Sequence, residues 1–409
     1  MRRGWLLLAA ATIVASVAGC GGQSRALAPG GEARPFPSQT ATQSPSRPAA
    51  PLVTGRPGPS RSSALAGSFL MDLTWVSDQR GWALAAAPCA LGLCPQVAAT
   101  HDGGRTWTTL PAPPGITRIL VSNIRFATIS VGYLFGPALY HTDDGGRSWH
   151  RVPSRPVEAL EPSAGTVVRV VYDHTGCPGP CTRTVQETTA ESGTWHTLLR
   201  IPLASSNGGV AAQVVRQGAS VIYLPIYGHV AGGAGTAHTV IFRSTDGGNS
   251  WQQLADPCGG TGQNEHDASG LAAASGGFVA VLCQPRAGTG LTFVLTSADH
   301  GSSWSPPRVV PGGTRHHLSL IAAASPGRLV VATGGVTGSG PFTYRLVASA
   351  DGGRSWPAAV TGTTQINPLA PGAAFLGFED ARAGRWVSDE RDIWTTRDGG
   401  LHWLRRAFP

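Results

Sequence analysis

Two short polar stretches, GQNEHDAS and GGTRHH, contain the side chains best suited to chemistry. The six candidate residues are Glu265, His266, Asp267, Arg315, His316 and His317. Together they offer carboxylates, imidazoles and a guanidinium, groups that can bind a polar or anionic ligand. His and Asp could also bind a transition metal. The alternative is that both stretches are solvated loops whose charges pair with one another.

Two acidic pairs, Glu379-Asp380 and Asp389-Glu390, are candidates for acid–base chemistry. Glycoside hydrolysis needs two carboxyl groups placed on either side of the bond that breaks. These pairs precede and follow a predicted strand, so we interpret them as loop charges.

The first twenty residues are typical of an export signal. MRRG supplies a positive start, WLLLAAATIVASVA an apolar core and VAGC a processing site. This segment resembles a bacterial lipoprotein signal peptide, which implies cleavage before Cys20 and a lipid on its sulfur. The alternatives are a plain secretory signal, a twin-arginine signal or a short anchor helix, although the apolar run is short for a membrane span. We expect an extracytoplasmic lipoprotein on the outer face of the cell membrane.

Six further cysteines form an even set, which in an exported chain indicates disulfides. CALGLC and CPGPC each close a very short loop, so the close pairs are favoured and two cysteines remain for a third bond. The expected disulfides are Cys89–Cys94, Cys177–Cys181 and Cys258–Cys283. A metal site built from the close pairs is the alternative, but neither pair has nearby His.

Composition narrows the class of protein and its partners. Gly (55) and Pro (32) are abundant and only 13% of the 409 residues are charged, which favours a turn-rich all-β fold. The net charge of +8 comes from scattered Arg without a basic stripe, so we expect no nucleic-acid partner. Residues 21–66 are rich in Pro, Ser and Ala and lack apolar periodicity, which predicts a disordered tether.

An octapeptide repeat predicts the fold of residues 67–409. Six copies share the pattern Ser/Thr-x-Asp-x-Gly-x-x-Trp, and TAESGTW, which ends at Trp195, is a degenerate seventh. The Asp positions are Asp102, Asp144, Asp246, Asp299, Asp351 and Asp398. The Trp positions are Trp107, Trp149, Trp195, Trp251, Trp304, Trp356 and Trp403. Each unit also contains four short apolar stretches. Seven units of four strands predict an all-β, seven-bladed β-propeller with four antiparallel strands per blade.

The octapeptide resembles the Asp-box, or BNR repeat, of sialidases, sortilin-type receptors, xyloglucan hydrolases and photosystem-assembly propellers. The resemblance implies that each turn joins strands three and four, on the face away from an active site. The Asp side chain should accept hydrogen bonds inside the turn, and Gly104 and its equivalents should supply a positive φ. The Trp should pack on a neighbouring blade. We expect blade 1 to close the ring by packing against blade 7.

The resemblance to sialidases also allows a test for catalysis. Those enzymes need three Arg, a Tyr nucleophile with a Glu partner and an Asp acid. Arg200-Ile201-Pro202 matches one of their motifs, but it falls between the predicted blades 3 and 4, the wrong place. The six Tyr fall mostly in predicted strands. Xyloglucan hydrolases use a cleft between two propellers, and this chain has one.

These observations favour a lipid-anchored propeller that binds a protein or a glycan at the cell surface without catalysis, cofactor or metal, as a monomer. A divergent sialidase-like glycosidase is the first alternative, and a membrane-complex assembly factor is the second. Ligands should bind on the face opposite the octapeptides, where the long loops and the two Cys-closed loops lie.

Overall fold

The computed structural model describes residues 65–89, 92–114, 116, 121–173, 181–203, 211–229, 238–259, 266–285, 290–312, 318–336, 342–364, 375–389 and 391–409. These residues form seven antiparallel sheets and no α-helix, so the described part of the chain is all-β. Each sheet is one blade, with its strands in chain order from the centre outward. The predicted seven-bladed β-propeller with four strands per blade is confirmed.

The strand bounds follow the repeat. Blade 1 contains β1 (Phe69–Trp75), β2 (Gly81–Cys89), β3 (Gly92–Thr100) and β4 (Thr108–Leu110). Blade 2 contains β5 (Asn123–Phe126), β6 (Gly132–Phe135), β7 (Leu139–Thr142) and β8 (His150–Val152). Blade 3 contains β9 (Val157–Ser163), β10 (Thr166–Asp173), β11 (Cys181–Thr189) and β12 (His196–Leu203). Blade 4 contains a divided inner strand, β13 (Ala211–Ala212) and β14 (Val215–Gln217), then β15 (Val221–His229), β16 (His238–Ser244) and β17 (Gln252–Leu254).

The last three blades continue the pattern. Blade 5 contains β18 (His266–Ala274), β19 (Phe278–Pro285), β20 (Phe293–Ser297) and β21 (Arg308–Val309). Blade 6 contains β22 (Leu318–Ser325), β23 (Arg328–Val336), β24 (Phe342–Ser349) and β25 (Ala358–Thr364). Blade 7 contains β26 (Phe375–Phe378), β27 (Gly384–Asp389), β28 (Asp392–Thr396) and β29 (Leu404–Ala407).

The hydrophobic core lies between the blades. The second strand of most blades is a nearly continuous apolar run, because both faces of each blade are covered by neighbours. Each of the seven apolar clusters found in the described part of the chain joins two adjacent blades. Stability therefore depends on the ring as a whole, since each blade covers the apolar faces of the next.

The octapeptide turns join strands three and four, as predicted. In blade 1, the Thr100 hydroxyl donates to Asp102 Oδ1 at 2.9 Å and accepts from the Gly104 N–H at 2.9 Å. The Thr106 N–H donates to the same carboxylate oxygen at 2.9 Å. Gly104 has φ +81°, a left-handed conformation that a glycine adopts without strain. The other five complete octapeptides have the same bonds, so each is a closed unit of local chemistry.

The turns between strands one and two lie beside the octapeptides. The fourth residue of each complete octapeptide donates its N–H to a carbonyl of that turn, for example Gly145 to Ser130 at 2.8 Å and Gly352 to Gly327 at 2.7 Å. Both kinds of turn therefore share one face of the ring, which we call the octapeptide face. The connections between strands two and three and between successive blades lie on the opposite face.

Side chains of one blade also reach the octapeptide of the next. Trp82 donates its Nε1–H to the Gly145 carbonyl at 3.0 Å, and Arg243 donates to the His300 carbonyl at 2.8 Å. Arg328 donates to the Asp398 carbonyl at 2.6 Å, and Arg308 donates to the equivalent carbonyl in blade 6. The octapeptide therefore fastens both its own hairpin and the joint between blades.

Blade 1 and blade 7 close the ring by side-chain packing. Leu70 and Leu73 share a buried cluster with Val387, Ile393 and Phe408. Among the described residues, blade 7 is formed by β26 to β29 alone. The expected mode of closure is therefore the one observed in the part of the chain that the structure describes.

Two of the expected disulfides are present, Cys89–Cys94 and Cys258–Cys283. The third lies outside the residues whose side chains are described, as do Cys20, the signal segment and the tether. In the described ranges, no helix has the length and apolar character needed to cross a membrane.

Candidate functional site

A central cavity of about 530 Å³ is lined by the inner strands of all seven blades. Residues beside the strand one–two turns, such as Trp75 and Glu379, contribute to its wall, so the cavity reaches the octapeptide face. Concave, partly polar cavities of this size are the usual location of ligand sites. The cavity is therefore the first candidate site.

The charged wall of the cavity is organised around Arg125 in β5. Its Nη1 donates to Asp72 Oδ2 at 2.6 Å, and its Nε donates to Glu161 Oε2 at 3.2 Å. Asp72 lies in β1 and Glu161 in β9, so one guanidinium joins the inner strands of three consecutive blades. Asp72 also accepts the Ile124 and Leu73 N–H groups, each at 2.9 Å.

Burial and ion pairing have opposite effects on the pKa values of Asp72, Glu161 and Arg125. Burial raises the pKa of Asp72 and of Glu161, although the nearby charge of Arg125 opposes the rise. For Arg125, burial favours a lower pKa, but the two carboxylates outweigh it and raise the pKa. Arg125 is therefore a fixed cation that holds both acids.

Two other cavity residues carry charge. Arg216 in β14 is 1% exposed and lies 3.5 Å from a carboxylate oxygen of Glu187 in blade 3. Glu379, 7% exposed, follows β26 and lies 3.6 Å from Arg385. Burial raises the pKa of Glu379 to about 7, although Arg385 opposes the rise. Each of these carboxyl groups thus lies within ion-pair distance of an internal arginine, although Glu379 Oε2 has no hydrogen-bond donor among the described residues.

The opposite wall of the cavity, from blades 5 to 7, is mostly apolar. Its polar members are Ser269, Ser319 and Glu379. The main contributors are Leu271, Ala272, Ile321, Ala323, Phe375 and Leu376. The polar wall, from blades 2 to 4, adds Gln213 and Tyr227, whose hydroxyl donates to the Gln213 side chain at 2.7 Å. The cavity therefore presents one polar and one apolar side to a ligand.

Of the six candidate residues in the two polar stretches, only His266 and Asp267 lie within the described residues. Both belong to β18, so the loop before blade 5, expected to run to Ser269, ends before His266, four residues earlier than predicted. His266 is 3% exposed, and its Nε2 hydrogen-bonds the Leu291 carbonyl at 2.9 Å. Glu265, Arg315, His316 and His317 lie outside the described residues.

Two interpretations of acidic and basic motifs need correction. Glu379 is not a solvated loop charge, because its side chain is buried against Arg385. Arg200-Ile201-Pro202 does not lie between blades, because it belongs to β12 of blade 3. Among the described residues, no three His, Cys, Asp or Glu side chains are grouped to hold a metal.

Sequence reasoning missed the charged residues of the cavity. Arg125, Glu161 and Arg216 occur singly in short strands, without a motif. The available signal is a lone charge inside an otherwise apolar strand, since such a charge needs a partner from another strand. The sequence does not say which strand supplies that partner.

The sequence comparisons find no relatives: no family model matches the chain, and no curated protein matches it. Solved structures share its fold. YCF48 bound to D1 peptide is 14% identical, with a TM-score of 0.51 over 84% of this chain and 93% of that one. YCF48 from Cyanidioschyzon merolae is 15% identical, with a TM-score of 0.50 over 81% of this chain and 96% of that one.

An ancestral GH74 enzyme is also similar in structure. It is 12% identical, with a TM-score of 0.53, and the alignment covers 83% of this chain but only 46% of the enzyme. The identities are low, so these likenesses establish the propeller fold, which is shared by binding proteins and enzymes alike.

Proposed function

We propose that this chain is a lipid-anchored, extracytoplasmic propeller that binds a protein partner and catalyses no reaction. The main support is the state of the carboxyl groups in the central cavity. Arg125 holds Asp72 and Glu161, and Arg385 holds Glu379. A glycosidase needs a free carboxylic acid and a free carboxylate facing each other across the substrate. Among the described acids of the cavity wall, each instead lies within ion-pair distance of an internal arginine.

The shape and chemistry of the cavity support a protein partner over a glycan. Its apolar wall suits an aliphatic or aromatic side chain, and its polar wall offers hydrogen-bonding groups to a backbone or a polar side chain. A bound peptide in the structurally similar YCF48 is consistent with this choice. A glycan is the alternative ligand, and a place in the assembly of a membrane complex is one form that protein binding would take.

The anchor rests on the first twenty residues, in which an apolar run ends at VAGC. A lipid on Cys20 followed by a polar tether would hold the propeller outside the membrane surface. In Cys20→Ser, we expect radiolabelled palmitate incorporation to disappear and the protein to leave the membrane fraction. Retention of both in the variant would contradict the anchor.

The partner can be tested by photo-crosslinking in intact cells. A benzoylphenylalanine at Leu376, in the apolar wall, should form a discrete adduct with a partner protein. The same probe at Ile129, 58% exposed in a turn on the octapeptide face, is the matched control and should not. Equal adducts at both positions, or none at Leu376, would contradict a protein ligand in the cavity.

Absence of catalysis is tested separately. The purified protein should not turn over a fluorogenic sialoside or a cell-wall glycan. Turnover that Glu161→Gln abolishes would replace the binding proposal with the glycosidase alternative, because Glu161 is the most accessible acid of the Arg125 network.

A further inference from the structure

A second cavity, of about 230 Å³, lies on the face of blade 3 that packs against blade 2. Its polar lining residues are Ser154, Arg155, Arg169, Thr184, Gln186 and Arg200. The strand pairing explains why they converge. Arg169 pairs with Gln186 across β10 and β11, and Thr184 pairs with Arg200 across β11 and β12, so these side chains share one face of the sheet. We call this cavity the blade 3 arginine pocket.

Arg169 is the deepest cation of the pocket. It is 5% exposed, and its guanidinium lies 3.8 Å from the ring centroid of Trp195. Its Nε donates to the Gln186 side-chain oxygen at 3.0 Å. Its Nη1 is buried and has no hydrogen-bond acceptor among the described residues. A buried cationic N–H without an acceptor is costly, so an anion that reached this atom would gain a hydrogen bond that the described protein does not provide.

Four other arginines with buried or partly buried side chains have acidic partners in the described part of the chain. Arg183, on the other face of the same blade, donates from Nε and Nη2 to both carboxylate oxygens of Glu158 at 2.6 and 2.9 Å. Arg125, Arg216 and Arg385 likewise lie within 4 Å of a Glu or Asp. Within the residues that the structure describes, Arg169 lacks such a carboxylate. Arg183, Arg216 and Arg385 also have a buried N–H without an acceptor, but each has a counter-ion, which Arg169 lacks among the described residues.

The remaining lining supports the same interpretation. No carboxylate lines the described pocket, although Asp173 pairs with Arg155 at its edge at 2.6 Å. Arg155 is 54% exposed, so it can reorient toward a ligand. Burial lowers the pKa of Arg169 to about 10, which leaves it protonated at neutral pH. The pocket therefore has a positive potential that is only partly compensated.

The pocket occurs where the repeat fails. Blade 3 has TAESGTW in place of a complete octapeptide, so its turn lacks the Asp that the six complete copies use. Its Trp195 stacks on Arg169 and contacts Tyr133 of blade 2 edge to face. The incomplete octapeptide and the buried cation Arg169 therefore both lie at the contact between blades 2 and 3.

We propose that the blade 3 arginine pocket is a binding site for a phosphate group. Arg155 comes from the connection before blade 3, Arg169 from β10 and Arg200 from β12, so donors approach from several directions. A tetrahedral phosphate offers acceptors in three dimensions, whereas a carboxylate offers them in one plane. The phosphate could belong to the free ion or to a phosphorylated polyol of a surface polymer.

The test measures binding to the purified protein by isothermal titration calorimetry at neutral pH and constant ionic strength in chloride. The probes are inorganic phosphate, glycerol phosphate and acetate. Both phosphate probes should bind more tightly than acetate, and the tighter of the two identifies the source of the group. Arg200→Gln should weaken binding about tenfold through loss of a charged hydrogen bond. Arg151→Gln, an exposed arginine of neighbouring β8 outside the pocket, is the matched control and should not.

A side-chain readout separates this site from general surface charge. In Nε–Hε NMR spectra, the Arg169 resonance should shift on addition of phosphate in the wild type and in Arg151→Gln. Arg169 is buried, and its replacement by Gln could impair folding. The mutational test therefore uses Arg200→Gln, because Arg200 is exposed. The proposal would be overturned if neither inorganic phosphate nor glycerol phosphate bound to the protein. Equal affinity for acetate, or equal phosphate affinity in the Arg200→Gln and Arg151→Gln variants, would also overturn it.

Discussion

The guanidinium of Arg385 in blade 7 lies 4.3 Å from the ring centroid of Trp75 in blade 1. Arg385 is fully buried, and its Nη2 donates to the Asp78 carbonyl at 3.0 Å. The two residues are 310 positions apart, yet they meet at the joint that closes the ring. One arginine thus combines a cation–π contact, a hydrogen bond to the first blade and an ion pair with Glu379.

Replacement of Arg385 by Met should destabilise the protein by about 3 kcal/mol, because it removes one partner of a buried pair and the Asp78 bond. The measurement is the free energy of unfolding from guanidinium chloride denaturation. Arg397 also approaches Asp78, at 3.9 Å, but it is 57% exposed. Arg397→Met should cost less than about 1 kcal/mol. Similar losses in both variants would refute a special role for Arg385.

Glu379 should make stability depend on pH. Its pKa is raised by burial from 4.5 to about 7, so the folded protein binds the proton more tightly than the unfolded chain. The contribution of protonated Glu379 to the free energy of unfolding is fully present below pH 4.5 and is lost as the pH rises through 7. From the size of the shift, the loss is about 3 kcal/mol. Glu379→Gln removes this titration.

The relevant measurement is the free energy of unfolding of both proteins at several pH values between 4.5 and 8. The difference between the wild type and Glu379→Gln should change in favour of the variant as the pH rises. A difference that stays constant over this range would show that Glu379 has an ordinary pKa.

Asp144 and Asp143 are adjacent, but only Asp144 occupies the third position of its octapeptide. Asp144 accepts the Ser148 N–H at 2.9 Å and its hydroxyl at 2.6 Å. Asp144→Ala should therefore lower the free energy of unfolding by about 1–2 kcal/mol, and Asp143→Ala by less than about 0.5 kcal/mol. Thermal denaturation of the two variants provides the test, and the reverse order would contradict the assignment.

The Asp144 carboxylate should also contribute to acid stability. Partial burial favours a higher pKa, but the hydrogen bonds from Ser148 and Thr142 outweigh it and hold the pKa well below 3.8. The stabilisation is present above pH 4 and is lost as the pH falls below that value. The wild type and Asp144→Ala should therefore converge in stability on acidification.

The two disulfides should differ in their contribution to stability. Cys258 and Cys283 are both fully buried and close a loop of 25 residues, whereas Cys89 and Cys94 are separated by 5. The chain-entropy model gives about 3.5 kcal/mol for the longer loop and about 2 kcal/mol for the shorter. Double Cys→Ala variants of each pair, compared by chemical denaturation, should show the larger loss for Cys258 and Cys283.

Some features of the cavity and pocket were beyond sequence reasoning. His266 stands in a polar stretch and was predicted to lie in a loop, but its ring is buried against Phe293 at a centroid distance of 5.1 Å. Polarity of the preceding residues was a poor guide, because a strand can begin directly after a polar loop. Arg169 lies within TVVRVVYD, where its charge contradicts the apolar pattern and could have been noticed.

The sequence by itself determined the number of blades, their order and the turns that join strands three and four. This was possible because each octapeptide completes its own hydrogen bonds within eight residues, so its letters specify its structure without help from distant parts of the chain. Tertiary structure alone decided which buried charges are paired. Arg125 forms ion pairs with Asp72 and Glu161, and Arg385 makes a cation–π contact with Trp75. Arg169 has no carboxylate partner among the described residues. These outcomes depend on strands from different blades meeting at one point, a relation that is not encoded in any local stretch.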